Sequence, residues 1–152
     1  AFKKETSDTR ESASIYICKH LLDEKAILHI YDPKVTADQI HSDLKAMVCG
    51  QYHHQFGSDS HTIKMAETNF EQFYAQHVKI EHEPMKAIED AHALVIVTEW
   101  DEFKEYDYKK IYQSMSKPAF IFDGRKMLDV AEMNSIGFQT YQVGSPHNAV
   151  DW

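Results

Sequence analysis

Ala93-Leu94-Val95-Ile96-Val97 is apolar at every position. A strand of that composition is buried on both faces, the situation of a central strand in a parallel sheet covered by helices on either side. Working outward, Ala119 to Phe122 reads as a second buried strand ending at Asp123-Gly124, and Phe138 to Val143 as a last strand. On the amino-terminal side, Val78 and Ile80 mark a short strand within His77 to His82. A β-rich run from Ala26 to Tyr31 is stopped by Asp32-Pro33, where proline turns its predecessor away from helix.

Helical patterns fill the intervals. Thr6 to Lys25 carries Ser14, Ile17, Cys18, Leu21 and Leu22 at helical spacing, with Asp8 or Thr9 as N-cap and Glu11 completing a capping box. Thr36 caps a predicted helix from Ala37 to Met47. Cys49 to His61 is polar, contains Gly50 and Gly57, lacks sustained periodicity and reads as a loop, followed by a weakly patterned helix from Thr62 to Tyr74. Further helices are expected from Pro84 to Asp90, from Asp107 to Met115, and from Met127 to Ile136, the last closed by Gly137.

Alternation of this kind predicts an α/β fold: a Rossmann-like three-layer sandwich with a mostly parallel sheet and right-handed crossovers. The 152 residues suffice for one domain, and no interior segment is rich enough in Pro, Gly or Ser to divide it, so a single domain over 1–152 is expected. Ligands of such sheets bind beyond the carboxyl ends of the strands.

Composition narrows the function. Hydrophobic residues make up 43% of the chain and charged residues 26%, an ordinary globular balance. A net charge of −8 offers no basic footprint for nucleic acid, so an anionic ligand must be held by a local basic pocket. Apolar runs fall far short of the roughly 20 residues of a membrane helix. Cys18 and Cys49 have no CxxC spacing and fit free thiols in the cytoplasm. The amino terminus has neither a signal-peptide core nor a methionine and reads as that of a fragment.

Cations cluster where the sheet rule points: Lys3, Lys4 and Arg10 around the first helix start, and Arg125 after the strand ending at Phe122. A helix amino terminus attracts anions, and a guanidinium adds donors in a fork suited to phosphate. On composition alone Arg10 reads first as a partner of Glu11 or Asp8 on a solvated helix end, and Lys3, Lys4 and Arg125 read also as ordinary surface charges. Competing chemistries lack their motifs, since no GxGxxG, GxxxxGK[ST] or GxSxG occurs. Cys49, His53, His54 and His61 lack standard zinc spacing, and no metal is expected there. Cys18 reads as a packed side chain, and Tyr106, Tyr108 and Tyr112 as core or its flank.

Four segments carry a resemblance: Phe-Lys-Lys-Glu-Thr-Ser-Asp-Thr-Arg-Glu-Ser from Phe2 to Ser12, His-Ile-Tyr-Asp-Pro-Lys from His29 to Lys34, Thr-Glu-Trp-Asp from Thr98 to Asp101, and Lys-Pro-Ala-Phe-Ile-Phe-Asp-Gly-Arg from Lys117 to Arg125. Together they resemble the UDP-glucose and GDP-mannose dehydrogenase family, its animal UDP-glucose-oxidising members most closely. The resemblance implies a carboxy-terminal UDP-binding domain whose first strand would begin just before Ala1. It implies that Phe2, Lys3 and Arg125 hold UDP-glucose and that Arg10 reaches the pyrophosphate of NAD. It also implies partner domains, an NAD-binding one and a central helical one, in a parent enzyme expected to be a homo-oligomer. The family's catalytic cysteine lies in a Gly-rich motif upstream, a context that neither Cys18 nor Cys49 has, so no catalytic residue is expected here. Glu5 and Ser7 stand where the family more often has aspartate and glycine. A stand-alone nucleotide-sugar-binding or regulatory module is an alternative. So is a response-regulator-like signalling domain, for which strand-end Asp32 and Asp123 would be the acidic cluster.

Overall fold

The computed structural model describes residue 1 and residues 3–9, 12–56 and 60–144. They divide into two compact units, one formed by residue 1 and the described residues of Thr6–His82, the other by Lys3–Glu5 and the described residues from Glu83 onward.

In the first unit, helix α1 (Ala13–Asp23) leads to strand β1 (Leu28–Ile30), helices α2 (Ala37–Phe56) and α3 (Ser60–His77), and strand β2 (Val78–Ile80). β1 and β2 pair in parallel, Leu28 opposite Val78 and Ile30 opposite Ile80. The N-cap of α1 is Ser12, whose hydroxyl accepts from the Ser14 N–H, so the expected start at Asp8 or Thr9 is corrected by several residues. Both Ser12 and Thr9 are buried, at 3% and 8% exposure, but Thr9 serves through its carbonyl, which accepts from the Ser12 N–H, while the Ser12 side chain makes the cap. Ile15 and Leu22 supply the buried stripe. Lys25, at φ +61°, ends the helix in a left-handed turn closed by Ala26 N–H on the Leu21 carbonyl.

A second correction concerns Cys49 to His61. α2 runs on to Phe56 and α3 begins at Ser60, so most of the expected loop is helix, and residues 57–59 lie outside the described residues. Among its described side chains the buried apolar stripe of α2 is narrow, formed by Ile40, Leu44 and Cys49. Packing on α3, with the Cys49 thiol directed at the Ala66 carbonyl and His41 and Lys45 paired with Glu71, sustains a helix whose own periodicity is faint. The strand and helix expected next are β2 and α4 (Pro84–Ile88), the latter with proline at its first turn.

The second unit continues with β3 (Ala93–Ile96), a 3-10 turn over Asp101–Glu105, α5 (Tyr108–Ser114), β4 (Phe120–Asp123), α6 (Val130–Ile136) and β5 (Gln139–Gln142). Its sheet is parallel in the order β3-β4-β5, with Val95, Phe122 and Tyr141 in register. The middle strand of the three is therefore β4, whereas the sequence pointed to 93–97 as central. Ile96, Ile121, Ile111, Met133 and Phe138 form the core on one face, with Tyr108 buried and Tyr106 and Tyr112 packed beside it. Val95 and Phe122 on the opposite face are exposed. α6 begins at Val130, not Met127: Asp129 caps it by accepting from the Glu132 N–H, while the N–H groups of Met127 and Leu128 in the preceding turn are held by the Asp123 carboxylate.

Parallel pairing with helical connections confirms the α/β class. Among the described residues no helix is long and apolar enough to cross a membrane.

Candidate functional site

The carboxyl ends of β3 and β4 sit side by side, with Ile96 opposite Asp123. Gly124 follows β4, and its N–H donates to the Ile96 carbonyl at 2.9 Å. A Cβ at this position would lie 3.0 Å from that oxygen, a tight contact with backbone that glycine avoids. Arg125 comes next, exposed, with its Nε donating to the Val97 carbonyl at 2.8 Å. The side chain is thereby laid across the end of β3 and held there.

The turn carrying Lys3 is tied to the same stretch. Lys4 Nζ donates to Asp101 Oδ2 at 2.8 Å, and Asp101 also pairs with Lys104 at 3.7 Å. This hydrogen bond raises the Lys4 pKa and holds the Asp101 carboxyl below its ordinary value. Lys4 is engaged in this exposed pair, and Lys3 beside it is an exposed cation of the turn. Glu5 closes the turn at φ +64°, a left-handed conformation that aspartate, asparagine and glycine adopt more readily than glutamate. Lys3 and Arg125 thus belong to segments both fastened to 97–101, one through Asp101 and the other through Val97. Within that stretch Thr98 and Trp100 are buried.

Phe2 and Arg10 lie outside the described residues, as do the side chains of His53 and His54. Among the described residues no group of three His, Cys, Asp or Glu is placed to hold a metal ion. Burial pushes the Cys18 thiol up to about 11, so it is protonated at neutral pH and is no nucleophile.

Sequence reasoning named Arg125 and Lys3 but missed what fixes them: Asp101, the Val97 carbonyl and Asp123. The Phe-Asp-Gly-Arg run gave a signal for the last, since a carboxylate before a glycine turn is suited to capture the N–H groups that follow. Asp123 is 1% exposed and accepts from several N–H groups. A phosphoryl acceptor must face solvent, which removes the signalling-domain alternative for this residue.

Residues 1–130 match the model of the UDP-glucose/GDP-mannose dehydrogenase family, UDP binding domain. The chain belongs to the UDP-glucose/GDP-mannose dehydrogenase family. It is 49% identical over 146 residues to UDP-glucose 6-dehydrogenase of Mus musculus, an alignment covering 95% of this chain and 26% of that protein. It is 44% identical over 152 residues to UDP-glucose 6-dehydrogenase 2 of Arabidopsis thaliana, covering 100% and 29%. The chain therefore spans little more than a quarter of the length of these relatives. Among solved structures, an NDP-N-acetyl-D-galactosaminuronic acid dehydrogenase from Methanosarcina mazei Go1 shares the fold, with a TM-score of 0.64 at 17% identity over 95% of this chain and 23% of that one.

Proposed function

We propose that residues 1–152 form a UDP-sugar-binding domain that grips the diphosphate of UDP-glucose at the carboxyl ends of β3 and β4. It would serve a cytoplasmic, homo-oligomeric NAD-dependent enzyme oxidising UDP-glucose to UDP-glucuronate. The observation that carries this reading is the pinning of exposed Arg125 to the Val97 carbonyl at the end of a parallel strand, where anionic ligands of such sheets are met. Lys3 and Phe2 complete the substrate contacts in this reading, and Arg10 reaches NAD across to a neighbouring domain. Family membership and the names of the relatives support the choice of nucleotide.

NAD, the hydride acceptor, would be held mainly by a domain outside these residues, because the chain has no glycine-rich dinucleotide fingerprint. What this chain contributes to rate is position. Holding a reactant in a near-attack geometry can lower a barrier by about 7–11 kcal/mol in favourable cases, and binding energy from uridine and phosphates can be used at the distant sugar carbon.

Calorimetric titration with UDP and UDP-glucose tests the reading. Saturable binding is expected, weakened by about tenfold or more on Arg125→Ala and by less on Lys3→Ala, whose ammonium is a point charge without a fork. A folded chain that binds neither ligand, or binds both equally well after either substitution, refutes the assignment.

A further inference from the structure

Asp123 is the last residue of β4 and is 1% exposed. A carboxylate so buried is stabilised only where donors surround it. Oδ1 accepts from Arg125 N–H at 3.0 Å, and Oδ2 from Met127 N–H at 2.7 Å, Leu128 N–H at 3.0 Å and Gln142 Nε2 at 2.9 Å. Gln142, opposite Asp123 on β5, also donates to the Leu128 carbonyl at 2.7 Å. The segment from Gly124 to Leu128 is therefore wrapped around one buried side chain and clamped to its neighbouring strand. Arg125 has a role in this wrapping through its backbone, while its side chain reaches out to Val97. Lys126, at φ +55°, shows how tightly the turn is drawn.

We propose that Asp123 is a positioning residue for nucleotide binding, acting through Arg125. The inference rests on the reading of Arg125 as a diphosphate ligand. Four donors on one carboxylate fix the Arg125 Cα, and the Nε contact to Val97 fixes the direction of the side chain from it, so the guanidinium meets the phosphates without first being ordered. Freedom removed in the unbound chain does not have to be removed on binding.

Asp123→Asn is the discriminating variant because it is nearly isosteric. With its oxygen turned to the three donors that converge on Oδ2, asparagine sets its NH2 against the Arg125 N–H. The bond lost is then the one to Arg125, and those to Met127, Leu128 and Gln142 are kept.

UDP is titrated into the unsubstituted chain, Asp123→Asn, Arg125→Ala and the double variant, with uridine as the phosphate-free control. Asp123→Asn is expected to weaken UDP about tenfold, the cost of ordering one long side chain on binding, and to leave uridine unchanged. In the Arg125→Ala background the same substitution should cost less than threefold, because nothing is left to position. An equal loss in both backgrounds, or an equal loss for uridine, would mean that Asp123 only supports the fold and would overturn the inference while leaving the UDP site intact. No UDP binding by the unsubstituted chain would sink the site and this inference with it. If Asp123→Asn does not fold, Gln142→Met serves in its place, removing one donor to Oδ2 and the tie to Leu128. A loss of UDP affinity that disappears with Arg125→Ala supports the mechanism, and one that persists refutes it.

Discussion

Gly137 closes α6 at φ +125°, a conformation reserved for glycine, and a Cβ there would lie 2.6 Å from Cζ and 2.7 Å from Oη of Tyr112. The ring cannot retreat freely, since it packs edge-on against Phe138 at 5.1 Å and carries the Lys117 ammonium 4.2 Å from its centroid. Gly137→Ala therefore meets both a backbone penalty and a clash, and should destabilise the chain by about 2 kcal/mol or more in urea denaturation. Adding Tyr112→Ala removes the clash but not the dihedral strain, so the double variant should lose less than the sum of the single losses. Strict additivity would show that the ring takes no part.

At the scale of elements, α2 and α3 are joined through Glu71, which accepts from Lys45 Nζ at 3.0 Å and pairs with His41 Nε2 at 2.8 Å. The hydrogen bond from Lys45, followed by that from His41, holds the Glu71 carboxyl below its ordinary pKa. As pH falls, the unfolded chain takes up a proton at this position before the folded one does. The stabilisation is thus complete above the ordinary carboxylate range and disappears as pH falls through the lowered value. Glu71→Gln should lower Tm modestly at neutral pH and flatten its fall between about pH 5 and pH 3. An unchanged slope would mean that the pairs contribute nothing in solution. These pairs also mark where the sequence was hard to read. Strand positions were legible because Leu28–Ile30, Val78–Ile80 and Phe120–Asp123 combine β-rich composition with turn residues beside them. The second half of α2 was not, because its helicity depends on packing against α3, whose Ala66 and Glu71 lie far along the chain. The starts of α1 and α6 shifted because the side chains of Ser12 and Asp129 take the caps, accepting from the Ser14 and Glu132 N–H groups, where sequence pattern alone points to Asp8 or Thr9 and to Met127.

For the whole molecule, the candidate site was legible in part, as a strand-end arginine and a lysine before the first helix, because the parallel-sheet rule and the family segments both pointed to Arg125 and Lys3. Their supports were not, since Asp101 and the Val97 carbonyl become partners only through long-range folding. The net charge of −8 adds a test of whether Arg125 is a contact or merely part of the field. The summed repulsion acts over distance and is screened beyond a Debye length, which shrinks from about 30 Å at 0.01 M salt to about 8 Å at 0.15 M. A guanidinium touching a phosphate works well inside that length and keeps most of its effect. The penalty of Arg125→Ala on UDP affinity should therefore persist at the higher salt, within a factor of about three of its low-salt value. Titrations of both chains at the two ionic strengths give that ratio. If the penalty vanishes with salt, Arg125 acts as a distant charge and the phosphates sit elsewhere; if it persists, the fork is at the ligand despite an acidic molecule around it.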